Sequence, residues 1–132
     1  MMSVRNLQYL LSPSSIAVLG ASNRQASVGN ALMQNLAQGG FAGKILPVSS
    51  HETTIAGIPT HRSVRDLPIA PDLAVIATPP DSVATLVSEL GARGARAAVV
   101  LTANFGEGGH AAGLHRRQLV LDAARPHLLR IL

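Results

Sequence analysis

The stretch SIAVLGASNRQASVGNAL, residues 15–32, decides how the rest of the chain is read. Ile16, Ala17, Val18 and Leu19 make a short unbroken apolar run, as expected of a strand covered on both faces of a parallel sheet. Gly20, Ala21 and Ser22 then carry almost no side chain, which lets a ligand come close to their backbone N–H groups. Ser27 is placed to cap a helix, and Val28, Leu32 and Leu36 recur at the four-residue spacing of one helix face. Free N–H groups and the positive end of a helix dipole make such a junction a seat for phosphate or pyrophosphate.

Outward from that unit the pattern repeats. Gly39 and Gly40 are expected to end the helix in left-handed conformations. KILPV, residues 44–48, reads as a second strand, with Pro47 near its end where a missing donor matters least. Residues 49–67 have weak periodicity and are expected to form an irregular crossover with a helical turn at 63–67. DLAVIA, residues 72–77, is the clearest strand. Thr78 with Asp81 three residues on, and Pro79 and Pro80 in the first turn, predict a capped helix start there. Val83, Leu86, Val87 and Leu90 mark that helix's buried face, and Gly91 and Gly94 bracket its end.

Residues 97–101 predict another strand, followed by a second small-residue loop, TANFGEGGH. Residues 111–125 predict a helix with Leu114, Leu121 and Ala124 on its inner face, stopping at Pro126. An apolar strand is expected over 128–132, and a short helical lead-in over 1–14, with Leu7, Leu10 and Leu11 on one side. Strands alternating with helices predict an α/β fold, a doubly wound parallel sheet of about five strands with helices on both faces. Ligands of such sheets bind beyond the carboxyl ends of the strands.

Composition narrows the chemistry. At 132 residues the chain is the size of one domain, with 47% hydrophobic residues. The aromatic residues are Tyr9, Phe41 and Phe105, which suits a parallel sheet better than a base-stacking RNA binder. Eleven Lys and Arg against seven Asp and Glu give a net charge of +4, which favours an anionic partner. The cations are scattered, with no basic run or nucleic-acid-reading motif, so neither DNA nor RNA is the expected partner. Without cysteine there is no disulfide, thiolate nucleophile or cysteine-ligated metal. No apolar run reaches the roughly eighteen residues of a membrane span, and a cytoplasmic protein is expected.

The loop is not a standard dinucleotide fingerprint. That motif needs G-x-G-x-x-G and an acidic residue about twenty positions on, whereas G-A-S-N-R-Q-A-S-V-G has one leading glycine and no carboxylate precedes Glu52. No G-K-[ST] phosphate loop occurs either. Five histidines are present, His51, His61, His110, His115 and His127. His110 and His115 would lie about 140° apart on a helix, with no carboxylate at metal-ligand spacing, so surface roles are expected and no metal. No Ser-His-Asp set follows from spacing, and no catalytic residue is assigned.

LSPSSIAVLGAS, GNALMQNLAQGGFAGKILPV, the turn Val64-Arg65-Asp66-Leu67-Pro68, DLAVIATPPDSV and AAVVLTANFGEGG occur here in order and without large gaps. Together they resemble the coenzyme A-binding domain of NDP-forming acyl-CoA synthetases, relatives of the succinyl-CoA synthetase α subunit with a Rossmann-like sheet. The resemblance implies coenzyme A as cofactor. It implies Gly20, Ala21, Ser22, Asn23, Arg24 and Ser27, with Val28 and Gly29 at the helix start, around the phosphates and adenosine. Pro47, Val48 and Ser49 would lie by the adenosine end. Ala77, Thr78, Pro79 and Pro80, with Thr102, Ala103, Asn104 and Phe105, would line the pantetheine arm.

One departure stands out. The family pattern has Val-Asn-Pro-Lys after the second strand, and this chain has Val48, Ser49, Ser50 and His51. Loss of that lysine implies weaker affinity, or compensation by Arg24 and Lys44. The family also continues into a Gly-Pro-Asn motif where Leu132 stops, and its phosphorylated catalytic histidine belongs to a later domain. Residues 1–132 are therefore expected to be a coenzyme A-binding domain cut at its C-terminal end from a larger enzyme. That parent would be an acyl-CoA synthetase or its fusion with a GNAT-type acetyltransferase, and its downstream domains would be partners. The fragment itself would bind and not catalyse. A stand-alone coenzyme A or nucleotide sensor is the alternative, and a nicotinamide-dinucleotide domain a third reading.

Overall fold

A computed structural model describes residues 12–101, 111–127 and 129–132. Its elements run β1 (Ser15–Leu19), α1 (Val28–Gln38), β2 (Lys44–Val48), β3 (Thr54–Ile55), β4 (Ile58–Pro59), β5 (Leu73–Ile76), α2 (Val83–Arg93), β6 (Ala97–Val100), α3 (Ala111–Ala124) and β7 (Arg130–Ile131). Five of the strands form one sheet in the order β2-β1-β5-β6-β7, every pair parallel. The doubly wound expectation is met.

The apolar runs explain the layering. β1 is buried at all five residues, so its alternating side chains serve two cores. Ala17 and Leu19 join Leu46, Val48, Ala74, Ile76 and Ala98 against Val83, Val87 and Leu90 of α2 and Val120 and Ala124 of α3. Ile16 and Val18 join Leu73, Val75 and Ala97 against Met33 of α1 and Ile55 of the β3–β4 hairpin. Register is pinned at the amino-terminal edge, where the Asp72 N–H donates to Ser15 Oγ at 2.9 Å and the Ser14 N–H to Asp72 Oδ2 at 2.8 Å.

Several expectations need correction. The α1 face is Gly29 and Met33 with Leu32 and Leu36 partly buried, while Val28, at the first helical position, is 56% exposed. Gly40 has positive φ, but Gly39 does not, at −82°, and its N–H closes on the Asn35 carbonyl. Gly91 lies inside α2, and Gly94 alone provides the left-handed cap. A side chain at Gly91 would run into the His127 ring, so the glycine admits the 3₁₀ turn Arg125–His127 against α2. α3 ends at Ala124, just before Pro126 as expected, and the 3₁₀ turn carries the chain on through the proline. The inner face of α3 is Gly113, Val120 and Ala124, whereas Leu114 and Leu121 are 45% and 41% exposed. Packing against the core through Val120 and Ala124 overrode the larger apolar pair.

The crossover is more ordered than its sequence suggested. Ala56 and Gly57 have φ of 52° and 78°, the double positive φ of a type I′ hairpin turn, and they join β3 to β4 in an antiparallel pair. Beyond the hairpin, the His61 N–H donates to the Pro47 carbonyl at 2.9 Å and the His61 carbonyl accepts the Ser49 N–H at 2.9 Å. Pro47 thus turns its carbonyl, and with it the donor-less nitrogen, away from β1, so the ladder to β1 is intact. The expected helical turn is the 3₁₀ segment Val64–Asp66. The expected lead-in over 1–11 and the loop at 102–110 lie outside the described residues.

Candidate functional site

The sheet order reverses between β1 and β5: from β1 the chain goes outward to β2, then returns to place β5 on the other side. The loops leaving these two strands lead to helices on opposite faces of the sheet, which leaves a crevice above the strand ends, the usual ligand position in such sheets. A cleft of about 480 Å³ lies there, within the range of small-molecule sites.

Glycine geometry builds its floor. Gly20 leaves β1 with φ +87°, and a Cβ on it would stand 2.6 Å from the Ala77 carbonyl oxygen. The two loops can meet only because that side chain is absent. Gly29 plays a matching part in the first turn of α1, since a Cβ there would overlap the Gly20 carbonyl. The helix start is thereby brought down onto the strand end.

Between them the loop is held by its own hydroxyls and amides. Ser22 Oγ accepts the Arg24 N–H at 2.9 Å, and the Ser22 carbonyl accepts from Asn30 Nδ2 at 3.0 Å. Ser27 caps α1 as predicted: its Oγ accepts the Asn30 N–H at 3.1 Å while donating to the Arg24 carbonyl at 2.7 Å. Asn23 reaches across to the crossover, donating to Glu52 Oε2 at 2.8 Å and to the Thr54 carbonyl at 2.9 Å.

Of the residues singled out from sequence, Gly20, Ala21, Ser22 and Arg24 line the cleft on the β1 side. Val48 and Ser49 line it from β2, and Ala77, Thr78 and Pro79 from β5. Asn23, Ser27, Val28, Gly29, Pro47 and Pro80 are not on its wall: Pro47 is fully buried, Gly29 supports, and Asn23 and Ser27 fasten the loop. Thr102, Ala103, Asn104 and Phe105 fall outside the described residues. Thr78 is not the cap of the following helix. Pro79 precedes the 3₁₀ turn Pro80–Ser82 with no side-chain cap, and Thr78 Oγ1 lies 2.8 Å from Ser82 Oγ. Two successive prolines extend the chain and push the helical start beyond the threonine.

The structure adds wall residues that sequence reasoning did not place there. Leu19 and Leu86 give an apolar patch, and Ser50, His51, Glu52 and Arg62 surround the end of β2. His51 was visible in sequence as the residue standing where the family pattern has lysine. Arg62 had no local signal; the pairing of His61 with Val48 brings it there. Lys44, expected to compensate for the lost lysine, begins β2 at the opposite edge of the sheet and cannot do so. Among the described residues neither Arg24 nor Arg62 has a partner for its guanidinium, and the recorded ion pairs are Arg116–Asp81 and Arg125–Asp122. No group of three His, Cys, Asp or Glu able to hold a metal occurs among the described residues.

Small-side-chain loops, an apolar patch and unpaired guanidinium groups fit an elongated anionic ligand with an apolar arm. Fold and cleft define the class: a Rossmann-like, doubly wound domain with a cleft at the switch point. A family profile described as the CoA binding domain matches residues 14–132, and the chain belongs to that family, whose ligand is coenzyme A. It is similar to the ADP-forming acetate–CoA ligase II of Archaeoglobus fulgidus, 34% identical over 129 residues, covering 98% of this chain and 19% of the ligase. Against the α subunit of ADP-forming acetate–CoA ligase I of Pyrococcus furiosus, identity is 36% over 131 residues, covering 96% of this chain and 28% of the subunit. The apo structure of dinucleotide forming acetyl-coenzyme A synthetase 1 from Ca. Korarchaeum cryptofilum superposes with a TM-score of 0.89 at 32% identity, covering 96% of this chain and 27% of that one. The chain spans less than a third of the length of each. No helix among the described residues is long and apolar enough to cross a membrane.

Proposed function

We propose that this chain is the coenzyme A-holding domain of a larger NDP-forming acyl-CoA synthetase, gripping the cofactor while the acyl group is activated elsewhere in the protein. The observation that carries this reading is the cleft at the β1–β5 switch point in a chain that belongs to the CoA-binding family. In this reading the backbone N–H groups of Gly20, Ala21 and Ser22, with Arg24, hold the pyrophosphate. Val48 and Ser49 lie by the adenosine, and Ala77, Thr78 and Pro79 guide the pantetheine arm toward the end of β6. When bound, coenzyme A supplies the thiol that takes up the acyl group; the residues here orient it. A cytoplasmic location is part of the same proposal.

Thermal denaturation with coenzyme A, NAD and ATP in parallel tests it. A ligand at about 100 times its dissociation constant adds roughly 2.7 kcal/mol to stability. A shift with coenzyme A exceeding those with NAD and ATP is expected. A shift with NAD and none with coenzyme A would overturn the proposal in favour of a nicotinamide-dinucleotide domain.

A further inference from the structure

The end of β2 is the place in a doubly wound sheet where the ribose of a nucleotide cofactor is read. An acidic residue there favours free hydroxyls and an arginine accommodates a ribose phosphate. In this chain the lysine position of the family pattern is His51, and Lys44 is at the wrong edge of the sheet. A cation nevertheless reaches this corner from the crossover.

Arg62 is set there by non-local pairing. His61 is bonded on both sides of its peptide to Pro47 and Ser49, so the chain passes the end of β2 as a short parallel extension of the sheet. Two residues further on, Val64 is buried at 1% exposure and anchors the 3₁₀ turn. Between these fixed points the backbone of Arg62 has little freedom, while its side chain is exposed on the cleft wall. The carboxylate on the same wall, Glu52, accepts from Asn23, and the Arg62 guanidinium has no partner among the described residues.

We propose that Arg62 recognises the ribose 3′-phosphate of coenzyme A, replacing the lysine missing after β2 and distinguishing the cofactor from its dephospho form. The planar guanidinium offers paired N–H donors matched to phosphate oxygens, which a lysine does not. Arg24, on the β1 loop, lines the same cleft and in the reading above serves the pyrophosphate. This assignment rests on the coenzyme A reading of the cleft.

The test is calorimetric titration of the chain at low salt with coenzyme A and with dephospho-coenzyme A, for the native sequence, Arg62→Gln, Arg62→Lys and Arg24→Gln. Native protein is expected to bind coenzyme A about tenfold more tightly than the dephospho form. Arg62→Gln should abolish that preference, weakening coenzyme A about tenfold and leaving dephospho-coenzyme A within about twofold, with Arg62→Lys intermediate. Arg24→Gln should weaken both ligands alike. Melting curves check that the exposed substitutions leave the fold intact. Equal weakening of both ligands by Arg62→Gln, or no effect on either, would overturn the assignment while the coenzyme A reading stands. Failure of the native chain to bind either ligand would sink both.

Discussion

The missing side chain of Gly20 faces the Ala77 carbonyl so closely that a Cβ would stand 2.6 Å from the oxygen. The loops of β1 and β5 therefore touch at the one place where the sheet order reverses, and the cleft opens above that contact.

Gly20→Ala should be the more informative of the glycine substitutions. It imposes both a positive φ on a residue with a Cβ and a clash with main chain that cannot swing away, together costing about 2–4 kcal/mol. Urea denaturation is expected to show the midpoint fall with little change in slope. Coenzyme A affinity should fall with it, because separating the two loops widens the cleft.

Ser27→Ala should separate capping from ligand contact. The hydroxyl is occupied by the Asn30 N–H and the Arg24 carbonyl and is off the cleft wall. Stability is expected to drop by about 1 kcal/mol, as for other N-cap losses. The dissociation constant for coenzyme A, measured well below the melting temperature, should change by less than about threefold. A tenfold loss would show that the hydroxyl touches the ligand.

Asn23→Ala should show a different balance. Its two donors tie the β1 loop to Glu52 and Thr54 in an exposed setting, so stability should fall by about 1 kcal/mol, much as for Ser27→Ala, and the contrast lies in affinity. Released from the crossover, the loop must be ordered at the moment of binding, and affinity is expected to drop severalfold. Hydrogen exchange of the loop amides would show the same loosening directly.

His51→Lys should restore a permanent charge at the end of β2. Binding of coenzyme A at low salt is expected to tighten by roughly three- to tenfold, and the gain should shrink at about 0.5 M salt, where exposed charges are screened. No gain at low salt would mean that the histidine position does not face the phosphates.

Much of the architecture was legible because it is written in short range. The apolar runs of β1, β2, β5 and β6, the Ser27 cap and the α2 face of Val83, Val87 and Leu90 all appear where local pattern put them. The β3–β4 hairpin was missed because its strands are two residues long and its turn is Ala56–Gly57 in place of the commoner Asn-Gly. The face of α3 was misjudged for a different reason. Leucines mark a helix face only when that face is the one that packs, and here Gly113, Val120 and Ala124 are the buried positions while Leu114 and Leu121 face outward.

By itself the sequence determined the alternation of strands and helices, the glycine-led loop after β1 and the family to which the chain belongs. These depend on residues within a few positions of one another, or on their order along the chain. Only the tertiary structure decided which side chains share the cleft. It removed Lys44 to the far edge, turned Asn23 and Ser27 into fasteners and brought Arg62 to the end of β2. The physical reason is register. His61 is thirteen residues beyond Val48, and nothing in the intervening segment announces that two backbone hydrogen bonds will align them until the hairpin has folded back.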